Sequence, residues 1–346
     1  MSEVKKRLDY LDIAKCLTII LVIIGHASAN TDDPFYRCAI YYFHMPLFFI
    51  VSGVVSKVRE VEYNKQYYKD FIIKSIYTLL IPYLIWALIY SKFSWKNVPY
   101  ILYGSWETLT KAQTLTSLWY LPCLFLARIW MELIIGLSSK YSKFNQDLFI
   151  LACTIASFTL GFLLPQPAMG YPLCFNISFV ALGFMLIGYM HKELINHFQS
   201  KGILFHLIKL VVVIALFEFG IRIGDKTKLV LMCGSQYGNP LLFLFNALLG
   251  VIVIFSLSAL ITKKWEFSNE TPLKNAILWV GRNTIGIFLV HKPFLQEIVV
   301  PIFTNMGYST NSLGVAIICM LIDFPISCLL VYIINKYTPG LFGKTQ

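Results

Sequence analysis

The sequence predicts an all-α, polytopic integral membrane protein of about ten transmembrane helices, with both termini on the cytoplasmic side. Three observations carry that reading. Hydrophobic residues make up 57% of the 346 residues and charged residues only 14%, against roughly 25% charged in an average globular domain. Apolar stretches of roughly 17–22 residues, the length a helix needs to cross the hydrocarbon core, recur from end to end. None of them alternates like a barrel strand, so helices must satisfy the backbone in lipid.

The first span, 13–30, follows a polar, basic amino terminus and holds His26 without a small-residue cleavage pattern, which marks a retained helix rather than a removed signal. The second, 39–56, opens on Tyr41, Tyr42 and Phe43, aromatic anchors of the kind that sit at membrane interfaces. Span 71–91 follows, and then 117–137, which starts on Trp119 and Tyr120. Span 148–164 is short and stops at the Pro165/Pro167 loop; 172–190 comes next, and 203–221 leaves the membrane around Glu218 and Arg222. The last three are 240–261, 276–294 and 313–334. No internal repeat or long linker interrupts the series, so residues 1–346 are predicted to form a single transmembrane domain.

Lys and Arg number 29 against 18 Asp and Glu, a formal charge of +11. With the amino terminus inside, the cytoplasmic segments collect Lys5, Lys6, Arg7, Lys57, Arg59, Lys65, Lys69 and Lys74, and later Lys140, Lys192, Lys263, Lys264, Lys336 and Lys344. The outer loops keep roughly half as many, chiefly Lys92, Lys96, Lys111, Arg222, Lys226 and Lys228. The excess therefore follows membrane topology and anionic lipid, and calls for no nucleic-acid partner. Eight scattered cysteines show no metal-ligand spacing and read as small buried hydrophobes, so no metal is expected. An extracellular disulfide scaffold, a disordered tail and a soluble nucleic-acid binder are excluded.

Ionisable groups inside a span cost a few kcal/mol each and are the best pointers to chemistry. Lys15 and His26 are eleven residues apart, which returns them to one helix face, roughly 16 Å apart along the axis. Asp12, one turn before Lys15, can neutralise it. His44, near the start of a descending span, and His291, near the end of an ascending one, should lie at the depth of His26. A core histidine bonded to a neighbouring helix explains any one of them, but three at one level point to general acid–base chemistry. At the inner ends, Lys15, Lys57, Arg59, Lys69, Lys74 and Arg282 cluster, a set able to hold the phosphates of an anionic cofactor. Arg128 is expected to pair with Glu132, and Glu218 with Arg222. Asp323, beside Pro325, is either a counter-ion to Lys15 or Arg128 or part of a polar channel.

Several stretches are similar to the acyltransferase 3 family of integral-membrane acyltransferases, most of all its fucose 4-O-acetylase-like branch. The opening Arg7-Leu-Asp-Tyr-Leu-Asp-Ile-Ala-Lys15 runs into Gly25-His26, and Phe43-His-Met-Pro-Leu-Phe-Phe-Ile-Val-Ser-Gly53 carries the most specific likeness. Leu80-Ile-Pro-Tyr83, Ser117-Leu-Trp-Tyr-Leu-Pro122 and Gly281-Arg-Asn-Thr-Ile-Gly-Ile-Phe-Leu-Val-His291 resemble later blocks in the family's order. The resemblance implies transfer of an acyl group, usually acetyl, from acyl-CoA to a hydroxyl of a cell-surface or lipid-linked carbohydrate. It implies acetyl-CoA as a diffusing donor with no tightly bound cofactor, and a multi-pass protein of the plasma (bacterial inner) membrane. The family's first-span Arg–His pair is represented here by Lys15 and His26, and the Arg pair before the third-span proline is absent, with Ser75, Thr78 and Lys74 in that stretch.

The expected division of labour follows. Lys15, Lys74, Arg282 and Asn283 take the donor at the inner end; His26 serves as general base, with His44 and His291 orienting it or protonating the leaving thiolate. Trp119 and Tyr120 offer a platform for a sugar, and Ser52 lines the polar path. The competing reading is a multi-span carrier or flippase for a lipid-linked sugar.

Overall fold

The computed structural model describes residues 9–28, 34–56, 63–112, 114–198, 200–224, 229–266 and 271–344. The cations Lys5, Lys6, Arg7, Lys57, Arg59, Lys226 and Lys228 lie outside the described residues. Among the described residues ten helices are long and apolar enough to cross a membrane. They are α1 (Asp9–Ala27), α2 (Phe35–Val55), α3 (Lys65–Tyr90), α4 (Leu115–Ser138), α5 (Lys143–Leu163), α6 (Pro172–Met190), α7 (Ile203–Ile223), α8 (Pro240–Trp265), α9 (Thr284–Asn305) and α10 (Leu313–Tyr337). Each predicted span has its counterpart, and the protein is an all-α, multi-pass membrane protein.

The ninth span differs from the expected 276–294. The chain forms a separate helix over Pro272–Arg282, bends at Asn283, and only then starts α9. The earlier helix is amphipathic, buried through Leu278, Val280 and Gly281 while Leu273 and Arg282 lie exposed, which suits an interface rather than the hydrocarbon. Thr271 caps it by accepting from the Lys274 amide at 3.2 Å, with Pro272 in the first turn. A continuous apolar average hides such a break, because it ignores which face each residue occupies.

α1 runs through the middle of the bundle, flanked by α2, α8, α9, α10 and the Pro272–Arg282 helix, while α2 also packs on α6 and α8. α7 and α10 are the most peripheral and present Leu204, Val211, Leu321 and Leu329 outward, as lipid-facing helices do. Lipid tails are as apolar as leucine, so close packing rather than burial selects helix neighbours. α2 and α6 illustrate it: a β-carbon at Gly53 would meet the Met185 carbonyl oxygen at 1.9 Å, and one at Gly188 the Ile50 oxygen at 2.1 Å. The two backbones touch, which only glycine permits.

Two spans contain a π-helical turn, Ile76–Leu80 in α3 and Leu295–Val299 in α9. Each closes two residues before a proline, Pro82 and Pro301, whose missing amide breaks the regular ladder. The wider turn re-phases the side chains that follow.

Candidate functional site

Two cavities lie against the Lys15–His26 face of α1. The first, about 330 Å³, is lined by the cations Lys15, Arg128, Arg282 and Lys344 together with Ser52, Thr78 and Tyr120. The second, about 230 Å³, is lined by His26 and His44, by Arg37 and Lys292, and by Tyr41, Trp106, Thr116, Trp119 and Gln296. Met45 and Phe288 line both, so the two spaces lie back to back across these two side chains.

The cationic cavity is organised by Asp12, itself 2% exposed. Its two oxygens take Lys15 Nζ at 2.7 Å and Arg282 Nε at 3.2 Å. One carboxylate thus orients two cations without cancelling both charges. Arg282 reaches this point because the Pro272–Arg282 helix lies directly on α1, where a β-carbon at Gly281 would fall 2.0 Å from the Asp12 carbonyl oxygen. Lys344 enters from the chain's end: Phe342 stacks on Trp86 with ring centres 5.8 Å apart, Trp86 Nε1 donates to the Leu341 carbonyl at 3.0 Å, and Gly343 adopts φ +67° against Thr78. Lys344 Nζ then donates to Asn283 Oδ1 at 2.6 Å and Asn335 Oδ1 at 2.8 Å. Desolvation at this position lowers its pKa from the ordinary lysine value. Asn283 therefore positions a cation as well as lining the cavity.

Among the residues expected to bind donor, Lys15, Arg282 and Asn283 meet in this cavity, and Lys74 does not. Lys74 is exposed on α3 and lines neither cavity, whereas Thr78 and Leu79, inside the π-turn that follows it, do line the first. Tyr120, expected beside the sugar, and Ser52, expected along the polar path to it, also lie here, while Trp119 lies in the second cavity. Consecutive residues at the start of a helix point about 100° apart, and that turn places Trp119 and Tyr120 in different cavities. The expected Arg128–Glu132 pair is not formed among the described residues: the Arg128 guanidinium stands 5.7 Å from the Phe71 ring centre and Glu132 accepts from the Tyr67 hydroxyl. The Glu218–Arg222 pair is formed, Nε to Oε1 at 2.9 Å. Asp323 is buried against Ser327 at 3.4 Å and lines neither cavity; Lys15 has Asp12 as its carboxylate instead.

The three histidines do meet. His26 Nδ1 lies 2.9 Å from His291 Nε2. His291 Nδ1 lies 2.9 Å from the Phe288 carbonyl and 3.1 Å from that of Ile287, and carbonyls only accept. In the neutral pair the assignment is then forced: His291 is protonated on Nδ1, its Nε2 accepts, His26 Nδ1 donates, and His26 Nε2 keeps its lone pair. His44 is set in the same way, Nδ1 donating to the Ile40 carbonyl at 2.9 Å. His26 and His44 line the cavity, with the Tyr41 ring edge-on to both at centre distances of 6.2 and 4.8 Å. His291 is fully buried and lines neither cavity, so it meets the site through His26.

Four cations escaped the sequence reading as site residues. Arg128 reads from spacing as the partner of Glu132, and Lys344 and Arg37 stand near chain ends or span starts, where basic residues mark topology. Lys292 carried a legible signal, an ammonium next to His291 within an apolar span. Its Nζ donates to Thr116 Oγ1. Cys233, in the loop before α8, also lines the second cavity, but burial pushes its thiol up to about 12, which keeps it protonated and a poor nucleophile at neutral pH.

A family model described as an acyltransferase domain matches residues 8–333. The nodulation protein NolL of Mesorhizobium japonicum is 24% identical over 295 residues, covering 81% of this chain and 74% of NolL. No solved structure matches the chain significantly.

Proposed function

The chain belongs to the acyltransferase 3 family, and from that premise we propose that this membrane acyltransferase moves an acetyl group from acetyl-CoA to a hydroxyl of a cell-surface or lipid-linked carbohydrate. The observation that carries the reading is the pair of cavities divided by Met45 and Phe288, one cationic and one holding two imidazoles with open Nε2 positions. CoA is rich in phosphate, which Arg and Lys bind through charge-assisted hydrogen bonds. Lys15, Arg128, Arg282 and Lys344 would hold it, with Asn283 fixing Lys344. The pantetheine arm, long and thin, would lie along Tyr120 and bring its thioester between Met45 and Phe288 to His26.

In the second cavity a sugar would stack on Trp119 or Trp106 and place a hydroxyl at His26 Nε2. As the hydroxyl oxygen attacks the thioester carbonyl, its proton moves to Nε2. Collapse of the tetrahedral intermediate breaks the C–S bond, and the departing thiolate recovers that proton from His26. No net proton is left on the protein. His291, by fixing the proton on His26 Nδ1, keeps Nε2 available as the base. Both termini and the cationic cavity would face the cytoplasm, where acetyl-CoA is made, in the plasma membrane.

The test is transfer by purified full-length protein of radiolabelled acetyl from acetyl-CoA to cell-envelope glycan. Label should appear on glycan, and His26→Ala should remove it while CoA binding persists. Glycan that crosses a vesicle membrane without gaining acetyl would establish a carrier instead.

A further inference from the structure

The second cavity holds more positive charge than catalysis by a neutral imidazole requires. Lys292 is 8% exposed, lines the cavity, and bonds Thr116; among the described residues no carboxylate lies within ion-pair distance of its ammonium. Arg37 lines the same space, its Nε donating to the Gly25 carbonyl at 3.1 Å. Both cations line the cavity that His26 lines. The described lining includes no Asp or Glu. An ammonium held in a poorly solvated space within a membrane, with no described carboxylate beside it, is costly, and it marks a place where a charge of opposite sign can bind. The rest of the lining, Trp106, Trp119, Thr116 and Gln296, has the aromatic faces and small polar groups that bind a sugar ring.

We infer that the acceptor is an acidic sugar, whose carboxylate or phosphate is bound by Lys292, with Arg37 beside it, while its hydroxyl faces His26. This rests on the acyltransferase reading for the role of the hydroxyl, but the anion site stands on Lys292 and the cavity lining alone. Carboxylate and phosphate share the recognising chemistry, an anion of small size on a sugar ring.

The experiment reads binding apart from turnover. Trp106 and Trp119 make the tryptophan fluorescence of the detergent-solubilised full chain a reporter of this cavity. Methyl glucuronoside, methyl glucoside 6-phosphate and neutral methyl glucoside are titrated into the wild type, Lys292→Gln and Lys292→Arg. At least one acidic sugar should bind tenfold or more tightly than the neutral one, and which acidic sugar does so identifies the anion. The preference should fall at least tenfold in Lys292→Gln, persist in Lys292→Arg, and weaken with added salt. CoA binding in the other cavity checks that each variant is folded; if Lys292→Gln fails that check, the wild-type preference and its retention in Lys292→Arg still decide. Equal binding of charged and neutral sugars by the wild type overturns the inference. So does a preference untouched in Lys292→Gln. A Lys292→Gln loss of acetyl transfer that is equal for charged and neutral acceptors, with no change of preference, would place Lys292 on the tetrahedral oxyanion and likewise overturn it. Absence of acetyl transfer with the charge preference intact would sink the acyltransferase reading and leave this one standing.

Discussion

In the proposed mechanism His26 depends on a ring that lines neither cavity. In the neutral pair His291 Nε2 can only accept, so it fixes the proton on the facing His26 nitrogen and leaves the other with its lone pair. His291→Phe removes the acceptor and should lower kcat by roughly 10²–10⁴-fold, the usual worth of a general base. His291→Gln offers a carbonyl oxygen in its place and should recover part of the rate. Steady-state kinetics should show the loss in kcat with the donor KM little changed. Asp12 would act on the other substrate: Asp12→Asn weakens the bonds that orient Lys15 and Arg282, and donor affinity measured by calorimetry should fall by about tenfold or more, from the low end of the ~1.5–3 kcal/mol of a hydrogen bond to a charged group. Lys344 gives a pH dependence. Its folded pKa is lowered, so the phosphate affinity it would supply is present while it is protonated and is lost, as pH rises, earlier than an ordinary lysine would lose it. Lys344→Arg should carry CoA affinity to higher pH.

At the scale of elements, the legible part of the sequence was set by length and period. Apolar runs long enough to cross lipid gave all ten spans, and the antiparallel order of those spans put His26, His44 and His291 at one level before any contact was known. The illegible part lies where chain order and spatial order separate. Lys344 enters the site through a terminal turn seated on Trp86, and nothing in its own neighbourhood signals that. Trp119 and Tyr120 read as one aromatic pair, but helical rotation divides them between cavities. The break at Asn283 was hidden for a related reason: Pro272–Arg282 is apolar on one face only. That helix must lie close to α1, since Gly281 sits where a β-carbon would collide with Asp12. Gly281→Ala should destabilise the protein by about 1–3 kcal/mol, the usual cost of overpacking, and weaken CoA binding as Arg282 moves out. Thermal unfolding and CoA titration measure the two effects.

Across the whole molecule the cavities lie toward opposite ends of α1, one at Lys15 and one at His26, with Met45 and Phe288 between them. Enlarging this wall should stop the thioester short of the base. Phe288→Trp is expected to keep CoA and sugar binding but to lose most acetyl transfer, and a longer acyl donor should suffer more than acetyl-CoA. Removing the wall has another consequence. Two polar cavities on either side of two apolar side chains are nearly a pore, and Met45 and Phe288 are the insulation that prevents it. Under the proposed mechanism the protein would have to let an acetyl group through while holding back protons and ions, so the same two residues that admit the substrate would also guard the electrical potential of the membrane. In sealed proteoliposomes the Met45→Ala/Phe288→Ala double variant should pass protons that the wild type retains, and bound CoA should plug the leak.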